Sequence, residues 1–499
     1  MTAFTRIHQM VQHQAQTRPD APAIIDVNDR EVTWSAYNTL ILEAVALLRE
    51  QGIGAGERVL IIAENCIAVP VLMMAASHLG AWGVPVNARM SAPEIARITT
   101  HARPRAILFT SGISQEAADH AGGQGARPLV TGFGTLHLLT TGITDPEQVD
   151  GAEEVAVLLY TTGTTGDPKG VMLTHANLIF AAKASAALRN LTPADRVYGA
   201  LPLTHVFGVA SMLMASAWVG CTVQLAKRFT PAALYGALRS GVTVLPAVPQ
   251  MHALLMAYAA DQGITELGSK TLRYVSSGAA PLDPSWKRNA EAFYGVALQN
   301  AYGMTETTAG VSGSSNAIGD SDISVGPPLP GVEIRLDMNM GADAEVGEVL
   351  TKGAHIMKGY FRNPKATRAV MTEDGFLHTG DLGQIDDQGR LTIVGRAKEL
   401  IIRGGFNVYP PEVEAALNDH PAVVQSAVIG HTVAGDEQVL AFVQVRTKVA
   451  PEDLRAFAAD RLAGYKRPSQ IHIVEQLPAA ATGKILKHLL ATQFADLIG

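Results

Sequence analysis

The sequence predicts an α/β protein: a large N-terminal multi-subdomain α/β assembly followed by a small mobile C-terminal α+β domain. Three observations predict it. The chain has 499 residues, 47% of them hydrophobic and 17% charged, which is too long for one core and apolar enough for several. Short apolar runs alternate with helix-length segments over residues 58–275. Beyond Gly326 the rhythm changes to short strands joined by hairpin turns.

Residues 58–63, Arg-Val-Leu-Ile-Ile-Ala, form the first clear strand, and 70–79 a helix. Residues 105–109, 155–159, 242–245 and 272–275 are further strands, with helices over 231–239 and 249–260. Apolar runs without polar alternation belong to strands covered on both faces, so the sheets are expected to be mostly parallel. Residues 206–225 carry no charge and are long enough to span a bilayer. They also hold Gly208, Ser211, Ser216, Gly220, Thr222 and Gln224, and Lys227-Arg228 follow, so a buried helix leading into a buried strand is expected. Gly326-Pro-Pro-Leu-Pro-Gly331 is a turn-rich break. Short strands follow at 332–336, 347–351 and on either side of 386–389. A helix over 411–418, strands over 423–429 and 439–445, and a helix over 451–462 complete an α+β unit. The expected domains are 1–397 and 398–499.

Composition narrows the function. A net charge of −7 argues against a broad nucleic-acid or anionic-membrane surface. Cys66 and Cys221 lie in apolar runs, as buried reduced thiols do, and no paired-cysteine metal spacing occurs. The start, Met1-Thr-Ala-Phe-Thr-Arg, lacks a signal-peptide pattern, so a cytoplasmic protein without membrane insertion is expected.

The sharpest motif is Tyr160-Thr161-Thr162-Gly163-Thr164-Thr165-Gly166-Asp167-Pro168-Lys169-Gly170, set between a strand and a helix-like segment from Thr174. Its glycines let backbone amides turn towards an anion, four threonines add hydroxyl donors, and Lys169 adds a cation. It is not a Gly-x-x-x-x-Gly-Lys loop, because Asp-Pro separates the second glycine from the lysine. A Thr/Gly-rich stretch alone is more often a flexible surface loop; its place after a strand favours a polyphosphate cradle.

The loop resembles the signature of the adenylate-forming superfamily: acyl- and aryl-CoA synthetases, peptide-synthetase adenylation domains and beetle luciferases. Further motifs of that family follow in order. Leu201-Pro-Leu-Thr-His205-Val206-Phe207-Gly208 is similar to the segment lining the acyl pocket, with His205 as its gate. Ser276-Ser-Gly278-Ala279-Ala280-Pro281 corresponds to the adenine and acyl walls, although a tight strand-to-helix turn explains it equally well. Asn300-Ala301-Tyr302-Gly303-Met304-Thr305-Glu306 implies adenine stacking on Tyr302, an α-phosphate donor in Thr305 and a Mg²⁺ ligand in Glu306. In His378-Thr-Gly-Asp381 the aspartate is implied to accept from the ribose hydroxyls. Gly395-Arg396-Ala-Lys398 implies a ribose or phosphate contact in Arg396 and a hinge at Lys398. Gly404 and Gly405 are expected to pass a pantetheine arm, and Lys466-Arg467 to meet CoA phosphates, unless that pair is merely a solvated basic face. Ala481-Thr-Gly-Lys484 carries the lysine implied to drive adenylation.

The resemblance implies an ATP-dependent, AMP-forming carboxylic acid–CoA ligase using ATP, Mg²⁺ and coenzyme A, working as a monomer or homodimer. A rival is an adenylating enzyme that loads a carrier protein; Lys466-Arg467, and no carrier segment after Gly499, favour CoA. A non-catalytic nucleotide binder is disfavoured by Thr305, Glu306 and Lys484 together. The expected acyl pocket is Ala184, His205, Val206, Phe207, Val248, Gly303 and Gly310, with His205 its one polar side chain and Lys183 turned aside. Malonate-activating relatives carry arginine where Ala301 stands. A medium-chain or aryl monocarboxylic acid with a neutral tail is therefore expected.

Overall fold

The computed structural model describes residues 4–147, 155–162, 168–278, 282–340, 345–433, 436–480 and 485–498. Two eight-stranded sheets form the large N-terminal part. In the first, Leu298–Tyr302, Tyr274–Gly278, Val244–Ala247, Arg196–Gly199, Thr222–Leu225 and Pro22–Ile25 run parallel, with Ser312–Gly313 and Glu31–Thr33 antiparallel at the edges. In the second, Val155–Thr162, Trp82–Asn87, Arg58–Ala63 and Ala106–Phe109 pair in parallel, and antiparallel pairings flank them on both sides. The expectation of mostly parallel sheets thus holds for the first sheet and for the middle of the second.

One apolar cluster joins the two sheets. It contains Val197 and Val223 of the first, Val59 and Ile61 of the second, and Val69, Leu72 and Met73 of the helix Ala68–Leu79. Every residue from Ala68 to Ser77 is buried, as a helix covered on all sides must be. The uncharged stretch around residue 210 is a π-helix, Phe207–Met214, continued by Ala215–Val219 and stopped by Gly220 in the left-handed region. The strand Thr222–Leu225 follows, as expected from the sequence. Among the described residues no helix is long and apolar enough to cross a membrane.

A four-stranded antiparallel sheet follows: Val332–Asp337, Gly347–Gly353, Leu377–Ile385 and Leu391–Arg396. The C-terminal part has a hairpin, Ile401–Arg403 with Phe406–Val408, and a three-stranded sheet, Val423–Val433, Asp436–Val445 and Gln470–Val474. Its core of Val413, Leu417, Val428, Val439, Ala441 and Leu454 is separate from the larger ones.

Candidate active site

The phosphate-loop motif folds as a hairpin. Val155–Thr162 pairs antiparallel with Pro168–Thr174, so Tyr160 lies opposite Gly170 and Thr161 opposite Lys169. The β-rich run Val171-Met-Leu-Thr makes a second strand where the sequence suggested direct entry into a helix; the helix His175–Leu188 begins after it, capped by the Thr174 hydroxyl. Gly163, Thr164, Thr165 and Gly166 lie outside the described residues, as do Ala279, Ala280 and Lys484, and nothing is described of the Thr162 side chain.

Lys169 is tied to the expected metal ligand through one ring. Its Nζ lies 5.0 Å from the centre of the Tyr360 ring, and the Tyr360 hydroxyl donates to Glu306 Oε1 at 2.9 Å. Burial, and then the Glu306 charge, push the Tyr360 phenol well above its ordinary range, so it stays a donor. Glu306 is 8% exposed. A buried carboxylate with a hydroxyl on one oxygen leaves the other as a hard donor, which fits Mg²⁺.

A second chain of contacts joins the strand Leu298–Tyr302 to the antiparallel sheet. The Tyr302 hydroxyl donates to Asp381 Oδ2 at 2.6 Å, and Arg396 Nε reaches Asp381 Oδ1 at 2.9 Å. Asp381 and Arg396 are register partners on adjacent strands. Burial, reinforced by Asp381, holds the Tyr302 phenol far above its usual range, while Asp381 raises Arg396 further. The Asn300 amide serves the backbone instead: its Nδ2 donates to the Ile323 carbonyl at 3.1 Å. Met304 and the buried Thr305 and Glu306 turn over a short 3₁₀ segment, Thr305–Thr307. A Cβ on Gly303 would lie 1.8 Å from the Ala309 carbonyl oxygen, so only glycine fits there. Thr308 and Ala309 both have positive φ, 49° and 78°, a strained turn beside the cavity that sequence reading missed.

His205, Val206, Phe207, Gly303 and Gly310 line one cavity together with Gly278, Ala301, Tyr302 and Ala309. Its free volume is about 50 Å³, and it opens to solvent at one end. A Cβ on Gly278 would lie 3.3 Å from the Phe207 ring, so the glycine makes room for that ring. Ala184 and Val248 do not line the cavity. Ala184 packs against Val311, Leu329 and Val332; Val248 packs with Met251 and Leu255. His205 is not the only polar side chain either: Ser185, Arg189, Ser211 and Ser312 also face the cavity. Lys183 is exposed, as expected. Arg189 follows the last turn of the helix His175–Leu188, where a cation ordinarily serves the helix end in water. Its spacing from Ser185 was the available signal, one helical turn along the same face.

In the C-terminal part, Lys398 sits in a one-turn segment, Ala397–Glu399. Gly404 and Gly405 close the hairpin with φ of 57° and 81°, which fits a two-residue turn needing left-handed backbone twice. The Gly404 amide donates to Asp436 Oδ1 at 2.8 Å. Lys466 grips both oxygens of Glu412, at 2.6 and 2.8 Å. Arg467 donates to the carbonyls of Leu462 and Ala459 at 3.0 and 2.8 Å. Lys487, which ends the C-terminal lysine motif but has no role assigned from sequence, pairs with Glu414 at 2.7 Å and with Glu399, beside Lys398, at 3.4 Å.

Two family models match the chain. One, described as AMP-binding enzyme, covers residues 11–361, and the other, AMP-binding enzyme C-terminal domain, covers 412–484. The 4-coumarate–CoA ligase 2 of Oryza sativa subsp. japonica is 30% identical over 98% of this chain and 92% of its own. The 2-succinylbenzoate–CoA ligase of Bacillus velezensis is 32% identical, with 96% of each chain covered. The crystal structure of ATP-bound MatB from Rhodopseudomonas palustris matches with a TM-score of 0.83 and 28% identity, covering 100% of both chains. With both family models placed in order along it and relatives matched almost end to end, the chain belongs to the AMP-binding enzyme family.

Proposed function

We propose that the chain is an ATP-dependent, AMP-forming acid–CoA ligase for an acid with a medium-chain or aryl body. The carrying observation is that the Tyr302–Asp381–Arg396 chain and the cavity behind His205 share Tyr302, so a nucleotide site adjoins an acyl site. Relatives named as aryl-acid CoA ligases, and an ATP-bound structural neighbour, support the same activity and its use of ATP and CoA.

In the first step a carboxylate oxygen attacks the α-phosphorus of ATP, and pyrophosphate leaves. Mg²⁺, held by Glu306, would offset negative charge on the phosphate oxygens. Lys169, Thr305 and Lys484 supply donors and positive charge to the same oxygens, where preorganised electrostatics count most. Thr161, Thr162, Gly163, Thr164, Thr165 and Gly166 cradle the phosphates. Asp381 exchanges part of its hold on Tyr302 or Arg396 for the ribose hydroxyls. In the second step the CoA sulfur attacks the acyl carbon, AMP leaves and the thiol proton passes to solvent. Residues 398–499 form a mobile domain that turns about Lys398 between the steps and brings Gly404-Gly405 to the thiol. The open space around both glycines in this arrangement is compatible with such an approach. Lys466 must give up Glu412 if it is to bind CoA phosphates. The protein works in the cytoplasm as a monomer or homodimer, without nucleic acid.

The experiment is acid-dependent pyrophosphate release, followed by CoA-dependent AMP and thioester formation, against a purified carrier protein as the alternative acceptor. Pyrophosphate release without thioester on CoA, but with loading of the carrier, would replace the ligase assignment.

A further inference from the structure

Arg189 is 4% exposed, yet it lines the acyl cavity. Its Nη1 donates to the Ser211 carbonyl, and its guanidinium also bonds the Tyr274 hydroxyl. Its Nε, buried from solvent, has no acceptor. No carboxylate among the described residues pairs with it. Asp195, in the same network, is held instead by Arg273 at 2.6 Å, and Arg273 donates in turn to the Arg189 carbonyl at 3.1 Å. A buried cation without a counter-ion and with an idle N–H is a costly arrangement in a folded chain. It becomes favourable when a ligand brings the anion, because charge-assisted bonds to guanidinium are strong and directional.

We propose that the acid activated here carries a second anionic group at its far end, and that Arg189 binds that group inside the acyl cavity. The inference rests on the ligase reading for the identity of the cavity. It departs from the neutral tail expected from sequence, because the cation enters from the end of the helix His175–Leu188 and not from position 301.

The test compares acids that differ only at the tail. The full-length protein is assayed for pyrophosphate release with glutarate, adipate and terephthalate, each beside its monomethyl ester. At least one diacid should exceed its ester by about ten- to a hundredfold in kcat/KM, the range of a hydrogen bond to a charged group. R189Q should lower kcat/KM for that diacid at least about tenfold more than for the ester, and R189K should restore part of the preference. If R189Q does not fold, the wild-type pairs and R189K decide. Esters that equal or beat every diacid would overturn the inference and leave the ligase reading intact. If no acid releases pyrophosphate, the ligase reading falls. Thermal stabilisation by adipate or terephthalate that R189Q abolishes would then still support the anion site, and its absence would overturn that too.

Discussion

Tyr302 gives its phenolic hydrogen to Asp381 across 2.6 Å, and so ties the last strand of the first sheet's parallel run to the antiparallel sheet that ends in Arg396. Removing that hydroxyl in Y302F leaves a buried carboxylate oxygen short of a donor, worth about 1–3 kcal/mol. The melting temperature should fall by several degrees, and KM for ATP should rise several-fold with a smaller change in KM for the acid. Equal effects on both substrates would separate Asp381 from nucleotide binding.

Glu306 and Tyr360 predict a metal phenotype without loss of fold. E306Q keeps an acceptor for the Tyr360 hydroxyl but removes the charge. Half-saturating Mg²⁺ should rise by about tenfold or more, as when one of few hard ligands is lost, while the melting temperature moves little. An unchanged Mg²⁺ titration would exclude Glu306 as a ligand.

Asp283 predicts a pH dependence of the contact between the two parts of the chain. It caps the helix Pro284–Tyr294. Burial, with Asp419 of the C-terminal part facing it, raises its carboxyl to about 6. A carboxyl raised on folding holds its proton more tightly in this arrangement. The contact is therefore most favourable at low pH and weakens as pH climbs from the ordinary carboxylate value through about 6. D283N keeps the helix cap and removes the titration. Interdomain distance, followed by paired fluorophores from pH 5 to 7.5, should change in the parent and be flat in D283N. A pH response retained in D283N would place the titrating group elsewhere.

Lys484 and Lys398 predict opposite lesions. K484A should slow adenylation by about a hundredfold or more, as loss of a transition-state donor does, and leave thioester formation from supplied acyl-adenylate largely intact. K398P should release pyrophosphate and stall at CoA transfer, because proline fixes φ and restricts its neighbour. Matching losses in both half-reactions of either variant would contradict the two-step division of labour.

Much of the fold was legible because it is written in local pattern. Residues 58–63, all apolar after Arg58, became the fully buried strand Arg58–Ala63, and Pro231 opened the helix Pro231–Arg239. Long-range partners were not legible. The strand Pro168–Thr174 was hidden inside a glycine-rich motif, and its pairing with Gly359–Tyr360 joins segments far apart in sequence. Lys466 read as a free cation because Glu412, which it grips, lies 54 residues earlier. Arg189 read as nothing at all, since a basic residue after a helix is ordinary until the wall in front of it is known. A charge is hard to read from sequence because it is defined by what faces it.

Isotope transfer distinguishes an acyl-adenylate on the way to the CoA thioester from every other route. The most active acid, labelled with ¹⁸O in the carboxylate that is activated, is turned over with ATP and CoA, and AMP and pyrophosphate are analysed by mass. One ¹⁸O is expected in each AMP and none in pyrophosphate, because the attacking carboxylate oxygen becomes the bridge to phosphorus and departs with AMP. Label in inorganic phosphate or pyrophosphate, or thioester formed with unlabelled AMP, would contradict the acyl-adenylate route.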